Sequence, residues 1–333
     1  MCKVSVILPV YNVASYIEET IQSLLNQTFT DFEILVVDDV STDGTSERIL
    51  AISDPRIRLI SNAQNLGRAG SDNVALAYVR GEYIAKMDGD DRCHPERLAW
   101  QVSYLEQHPD VNVVGGWMQN FGVSTHLNTY PSLPADARVF TLFGLPVGNP
   151  TVMLRTCLFS KEGMQYNSSL RQTEDFDFFA RYAERLVVTT LPMALVEYRT
   201  FTQAYKNGVL GERTQTADQV REALLQRWGI TFSPRELLVH NTIAMLERSL
   251  GNITLAEVQA WLNKLEQYNR VQPWFEPVAI RRGLAQRWFE VCYTHPTKLL
   301  GSLRAFRSST FADDVTIPTK KQLKFWLRSI QNL

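Results

Sequence analysis

The chain has 333 residues, which is enough for one large or two medium-sized domains. Its composition is that of a globular protein, and its formal net charge of −1 argues against a surface that attracts nucleic acid. The four cysteines are scattered and form no CxxC motif, as is typical of a reducing cytosol. The absence of a long apolar run and of a signal-peptide pattern predicts a cytoplasmic protein.

Strand and helix patterns alternate through the first 200 residues. Four apolar runs predict buried strands, in chain order "VSVILPVYN", "FEILVVDD", "IRLISN" and "YIAKM". Helices are predicted between them and after Pro95, and Ser15 and Glu18 have the spacing of a capping box at the first helix. This alternation predicts an α/β fold with a doubly wound, mostly parallel sheet and helices on both faces. Ligands of such sheets bind beyond the carboxyl ends of the strands.

From about Tyr205 onward the pattern is helical only. Capping boxes are predicted at Ser233–Glu236 and Thr254–Glu257. We therefore expect a catalytic domain over residues 1–205 and an all-helical C-terminal domain over 206–333. Five of the seven tryptophans lie in the helical region, where aromatic residues at helical spacing are typical of a core.

Carboxylates follow the strand "YIAKM" directly, at Asp88, Asp90 and Asp91. A D-x-D pair on a tight turn offers the hard oxygen ligands that Mg²⁺ and Mn²⁺ prefer. The alternative is a solvated turn in which Asp91 caps the helix that begins near Pro95.

Two further acidic pairs have the same ambiguity. Asp38 and Asp39 end the second strand, where a carboxylate can accept a hydrogen bond from a nucleobase or a ribose, or can belong to a simple turn. Glu174 and Asp175 precede a predicted helix, where acids favour the helix dipole but can also serve as a general base.

Four segments together resemble the family-2 glycosyltransferases: "SVILPVYN", "QTFTDFEILVVDDVSTDGT", "GEYIAKMDGDD" and "TEDFDFFAR". The resemblance covers about residues 3–200 and does not extend to the C-terminal third. It implies a GT-A fold and an inverting enzyme that transfers a sugar from a nucleotide-diphosphate donor. The expected acceptor is a hydroxyl of a glycan or of a lipid-linked saccharide, in surface polysaccharide biosynthesis.

For the donor, the resemblance implies that Pro9, Tyr11 and Asp39 surround the base, with Asp39 as the partner of a uracil. Many relatives carry an Arg before the Asn of the third helix, where this chain has Asp72. Arg68 either replaces that Arg as a contact to the base or phosphate, or is a surface residue.

For the chemistry, the resemblance implies that Asp90 binds a divalent cation, Mn²⁺ or Mg²⁺, and that Asp88 lies at the ribose or at the metal. Asp175 is then the catalytic base, and Glu174 supports it or contacts the acceptor. Many relatives also carry a metal-side His where this chain has Phe201; Gln203 or Lys206 are candidate replacements.

Other functions fit the sequence less well. No G-x-G-x-x-G or P-loop motif is found, which argues against a nicotinamide-dependent oxidoreductase and a P-loop enzyme. A sugar nucleotidyltransferase and a degenerate, carbohydrate-binding relative remain as alternatives. The five histidines have no metal-binding spacing and are expected at the surface or in caps.

The last helical segment, Lys320 to Leu333, combines basic residues with an apolar face. Leu323, Trp326, Leu327 and Ile330 share that face. Such a helix can attach a protein peripherally to the cytoplasmic membrane face, or can pack on the catalytic domain.

Overall fold

The structure is a computed structural model that describes residues 2–201, 203–295, 300–315 and 317–331, with side chains left undescribed at 203–210, 330 and 331. The chain forms two structural units. Unit 1 comprises residues 1–137 and 145–217, and unit 2 comprises 138–144 and 218–333. A functional boundary at residue 205 stays a prediction.

Unit 1 is built on one sheet, to which nine strands of the described residues belong. In chain order they are β1 (Val4–Val10), β2 (Phe32–Asp38), β3 (Ile57–Ser61), β4 (Tyr83–Lys86), β5 (Arg92–Cys93), β6 (Val113–Gly122), β7 (Leu127–Asn128), β8 (Met153–Arg155) and β9 (Val188–Thr200).

The strand order is β3-β2-β1-β4-β8-β6-β9-β5, with β7 paired to β6. The first four are parallel, as the sequence predicts, whereas β8 runs antiparallel to β4 and begins a mixed half. Every residue of β2 and β4 is buried, because helices cover both faces of this part of the sheet.

Thirteen α-helices are found in the described part of the chain. They are α1 (Ile17–Leu25), α2 (Thr45–Leu50), α3 (Gly67–Leu76), α4 (Arg97–Gln107), α5 (Pro134–Phe140), α6 (Cys157–Ser160), α7 (Glu174–Arg181), α8 (Gln203–Arg227), α9 (Pro234–Ala244), α10 (Leu255–Val271), α11 (Pro277–Thr294), α12 (Gly301–Ser308) and α13 (Thr319–Gln331). Among the described residues, no helix is long and apolar enough to cross a membrane.

Two of the three predicted capping boxes are confirmed. Ser233 and Thr254 each accept a hydrogen bond from the amide of the Glu three positions later, and that Glu returns the contact. The box predicted at Ser15 is wrong, because α1 begins at Ile17 after Tyr16 and has no side-chain cap.

A charged pair is buried inside unit 1, between β4 and α3. Lys86 and Asp72 form an ion pair, with side chains 0% and 1% exposed. The Lys86 ammonium also lies 4.8 Å from the centre of the Tyr166 ring. The backbone of Tyr166 forms two hydrogen bonds with the side chain of Asn73 in α3. Burial lowers the pKa of Lys86, and the Asp72 charge opposes that shift. The pair therefore fixes α3 to β4 just before Asp88.

Removing one member of this pair should destabilise unit 1 strongly. In Lys86→Met the Asp72 carboxylate stays buried without its counter-charge, so the free energy of unfolding should fall by about 3–5 kcal/mol. The double variant Lys86→Met/Asp72→Asn should recover most of this loss. Urea-induced unfolding measures the free energy of unfolding of the single and the double variant. Lys161→Met is the control, because Lys161 is exposed. Equal midpoints for wild type and Lys86→Met would show that the pair does not stabilise the unit.

Unit 2 has its own core, which includes three fully buried tryptophans, Trp228, Trp261 and Trp288. Trp326 is exposed, so the expectation of core tryptophans fails for the last helix. The segment 138–144 belongs to the same unit and contributes side chains that are almost completely buried, Val139, Leu142 and Phe143.

His240 lies in this core, which corrects the expectation of a surface or capping residue. The Trp261 Nε1–H donates to His240 Nδ1 at 3.0 Å, so the ring proton must lie on Nε2. Nε2 then donates to the Leu142 carbonyl oxygen at 2.9 Å. Burial, reinforced by the nearby Arg221 charge, lowers the pKa of His240 to about 3.

The stability of unit 2 should consequently depend on pH. Between the ordinary His pKa of 6.5 and about 3, the unfolded chain binds a proton that the folded unit does not. Stability should therefore fall as pH falls through this window and gain nothing from His240 above it. In His240→Gln this slope is lost, so the free-energy difference between wild type and variant should change by about 2 kcal/mol from pH 7 to pH 5. Denaturant unfolding at both pH values measures it; a constant difference would contradict the assignment.

Candidate active site

The carboxyl ends of β1, β2 and β4 lie at one edge of the sheet. In the pairing of β1 with β2, Val10 lies opposite Asp38, and the Asp39 amide donates to the Val10 carbonyl oxygen at 2.9 Å. On the other side of β1, Ile7 pairs with Lys86. The residues that follow these strands are therefore neighbours, which is where a parallel sheet binds its ligands.

Asp39 fastens the start of α3 to this edge. Its Oδ1 accepts from the Leu66 amide and from Asn62 Nδ2, and its Oδ2 accepts from the Gly67 amide, each at 2.8 Å. The carboxylate is almost completely buried. Asp39 thus shapes the loop before α3, and direct contact with a base stays a prediction.

The neighbouring Asp38 belongs to the turn. Its two carboxylate oxygens accept hydrogen bonds from the Ser41 amide and the Ser46 hydroxyl, at 3.2 and 2.7 Å. Asp38 therefore stabilises the turn after β2, which is the second of the two roles considered for it.

A cavity of about 360 Å³ opens at this edge, within the size range of small-molecule sites. Four of the predicted donor residues line it: Pro9, Tyr11, Asp39 and Arg68. Further lining residues, which the sequence analysis missed, include Arg171, Gln172 and Glu212. The structure thus brings together residues that are up to about two hundred positions apart.

Asp88, Asp90 and Asp91 form a cluster next to β4, with oxygen atoms all within 4.8 Å of one another. Burial raises the pKa of Asp90, and burial together with the Asp90 charge raises the pKa of Asp91 to about 8. Asp91 does not cap α4, because its Oδ1 accepts from the Arg199 amide at 2.7 Å. Its buried Oδ2 has no hydrogen-bond partner among the described residues.

These carboxylates fit a divalent cation. They offer only hard oxygen ligands, and a cation would offset the cost of burying their negative charge and the repulsion between Asp90 and Asp91. The D-x-D pair predicts Asp88 and Asp90 as ligands, and in the structure Asp91 lies in the same cluster.

Arg199 supports the cluster from the neighbouring strand β9. Its Nε donates to the Asp90 carbonyl oxygen at 2.8 Å, and its guanidinium pairs with Glu19. No pattern in the sequence points to this role of Arg199. The side chains of Gln203 and Lys206, suggested as replacements for a missing His, lie outside the described residues.

Arg68 connects the cavity with both acidic motifs. It lines the cavity, pairs with Asp88, and its Nε lies 3.6 Å from Glu174 Oε1. Its side chain is 33% exposed. These contacts favour a role in the site over a plain surface residue, and a contact of Arg68 with the base or phosphate stays a prediction.

The Glu174–Asp175 pair begins α7. Glu174 is buried, and burial together with the Asp175 charge raises its pKa to about 7. Asp175 is more accessible, and its Oδ1 accepts from the Phe176 amide at 2.7 Å. Of the two carboxylates, Asp175 is the one that a substrate hydroxyl could reach more easily.

Strained backbone conformations flank the predicted site residues. Asn12 follows Tyr11 with φ of 52°, Val40 follows Asp39 with 67°, and Thr173 precedes Glu174 with 63°. The left-handed region is costly for β-branched Val and Thr, and such strain is concentrated at functional sites.

Relatives in sequence are glycosyltransferases. Residues 5–162 match the family described as "Glycosyl transferase family 2". An uncharacterized glycosyltransferase of Haemophilus influenzae is 30% identical over 261 residues, which are 73% of this chain and 79% of the relative. The Escherichia coli UDP-Glc:alpha-D-GlcNAc-diphosphoundecaprenol beta-1,3-glucosyltransferase WfgD is 42% identical over 102 residues, 31% of this chain and 40% of WfgD.

Solved structures share the fold at lower identity. TarS 1-349 of S. aureus in complex with UDP-GlcNAc has a TM-score of 0.60 and 19% identity, with 92% of this chain and 89% of that chain covered. The mannosyltransferase PcManGT from Pyrobaculum calidifontis in complex with GDP-Man and Mn²⁺ has a TM-score of 0.51 and 19% identity, with 99% and 87% covered.

The likeness to the Haemophilus protein runs along most of both chains, and the family match spans the strands that carry the cavity and the aspartate cluster. This protein belongs to glycosyl transferase family 2.

Proposed function

We propose that the protein is an inverting, metal-dependent glycosyltransferase that uses a UDP-sugar and acts in surface polysaccharide biosynthesis. The observation that carries this proposal is the position of Arg68. One guanidinium borders the cavity predicted for the nucleoside, the D-x-D aspartate and the acidic pair predicted for catalysis. The predicted sites of the donor, the metal and the acceptor therefore adjoin one another at the Arg68 guanidinium.

The donor is proposed to bind in the 360 Å³ cavity, with its base near Pro9, Tyr11 and Asp39. Tyr11 is half exposed and can cover a base with its ring. Arg68 is suited to the diphosphate, because a guanidinium offers paired donors to phosphate oxygens. The complex of TarS with UDP-GlcNAc supports a uridine donor.

Asp88 and Asp90 are proposed to hold Mn²⁺ or Mg²⁺, and the Mn²⁺ of the PcManGT complex supports a cation here. When bound, the metal supplies positive charge that offsets the charge developing on the departing diphosphate. Arg199 keeps Asp90 in place through the backbone carbonyl of that residue.

Asp175 is proposed to remove the proton from the acceptor hydroxyl. The hydroxyl oxygen forms a bond to the anomeric carbon while the bond from that carbon to the diphosphate oxygen breaks, and both electrons leave with the diphosphate. A single displacement of this kind inverts the anomeric configuration. Glu174, which precedes Asp175 directly in the sequence, lies 3.6 Å from the Arg68 Nε.

The acceptor is proposed to be a saccharide linked to a lipid diphosphate. The support is the name of WfgD, whose acceptor is a diphosphoundecaprenol-linked GlcNAc.

Asp90→Ala should abolish Mn²⁺-dependent binding of UDP, because the cation loses a ligand and the diphosphate loses the cation. Isothermal titration calorimetry with UDP, with and without Mn²⁺, measures this. The exposed Asp110→Ala is the matched control, since it removes the same charge elsewhere. UDP affinity equal to that of the wild type in Asp90→Ala would refute the metal assignment.

Asp175→Asn should keep the affinity for UDP and lower the rate of sugar transfer about 10²–10⁴-fold, the typical loss of a general base. The assay follows UDP release with a diphosphoundecaprenol-linked saccharide as acceptor. Asp177→Asn, two positions later in α7, is the matched control, because Asp177 pairs with Arg181 instead. A parallel loss of UDP affinity in Asp175→Asn would move Asp175 to the donor site.

A further inference from the structure

Helix α13 has one face fixed in unit 2 and another exposed. Phe325 is 2% exposed and packs among three rings, with centroid distances of 5.5 Å to Phe289 and 6.0 Å to both Tyr293 and Phe306. Ser329, one turn later, is also fully buried. The orientation of the helix about its axis is therefore determined by this aromatic contact.

The opposite face carries large apolar side chains. Leu323, Trp326 and Leu327 are 58%, 47% and 45% exposed. Their spacing of three and four positions makes them neighbours on one helix face. We name this surface the Trp326 face.

Basic residues border the Trp326 face. Lys320 and Lys324 are exposed and lie one turn apart beside Leu323 and Leu327, and Arg328 is exposed further round the helix. The segment from residue 318 to 331 contains no Asp or Glu. The Trp326 face therefore combines an apolar stripe with a positive border that has no acidic side chain of its own.

We propose that the Trp326 face binds the surface of an anionic lipid bilayer. The apolar stripe enters the boundary between headgroups and acyl chains, and the lysines meet the lipid phosphates. A Trp at the edge of such a stripe is suited to the interface, because its ring is apolar and its N–H is polar.

The size of the Trp326 face favours a membrane over a protein partner. A standard protein interface buries about 800 Å² on each side, and three half-exposed side chains offer much less. Binding to a bilayer needs no such area, since each basic residue near an anionic surface adds to the attraction. This inference is independent of the proposed function, because it does not involve the donor or acceptor chemistry.

The test is co-sedimentation of the full chain with phosphatidylcholine vesicles and with vesicles that also contain phosphatidylglycerol. We expect binding to the anionic vesicles, loss of binding at high salt, and little binding to pure phosphatidylcholine. Leu323→Ser/Trp326→Ser should weaken binding about tenfold or more. Lys320→Gln/Lys324→Gln should weaken it about 25-fold, since each lysine is worth about fivefold.

Two matched variants control for apolar surface and for charge. Leu238→Ser/Val278→Ser removes exposed apolar side chains from α9 and α11, and Arg80→Gln/Lys161→Gln removes exposed positive charges from unit 1. Both should bind vesicles like the wild type. Circular dichroism verifies folding, which should be unchanged because every substituted side chain is exposed.

Three results would overturn the proposal. The first is equal pelleting with neutral and anionic vesicles. The second is unchanged vesicle binding in both α13 variants. The third is a change in oligomeric state in Leu323→Ser/Trp326→Ser, measured by light scattering, without a change in vesicle binding; the Trp326 face would then be a contact between two copies of the chain.

Discussion

Burial of carboxylates at one edge of the sheet is the constraint on which the candidate site depends. Asp88, Asp90 and Asp91 are crowded where burial makes negative charge costly. Cationic groups surround them: Arg68 contacts Asp88, and Arg199 binds the backbone of Asp90. An acidic cluster of this kind attracts a cation. The contacts of Arg68 and Arg199 also hold α3 and β9 at the cluster.

Backbone strain at Asn12, Val40 and Thr173 belongs to the same arrangement. The surrounding structure has to enforce each of these conformations, and fully buried strands such as β2 and β4 provide the rigidity to do so. The sheet therefore acts as the stiff support that holds irregular loops in fixed positions.

The sequence was sufficient to predict the parallel half of the sheet and the acidic residues at its edge, because buried parallel strands leave continuous apolar runs and their ends adjoin. It was insufficient for Arg199, which reaches Asp90 from 109 positions later. His240 was misjudged for the same reason, since the Leu142 carbonyl that it binds is 98 positions away. Hydrogen bonds between residues so far apart leave no recognisable pattern in the sequence. The capping boxes at Ser233 and Thr254 could be predicted, because each joins residues only three positions apart.

The discontinuity of unit 2 has a consequence for synthesis of the chain. Val139, Leu142 and Phe143 leave the ribosome early, but the rest of unit 2 begins only at residue 218, within α8. Until that part emerges, a short apolar segment in the middle of the nascent chain has no partner within its own unit. Such a segment is a natural target for chaperones during translation, and a chain cut after residue 217 would lack the rest of unit 2 permanently.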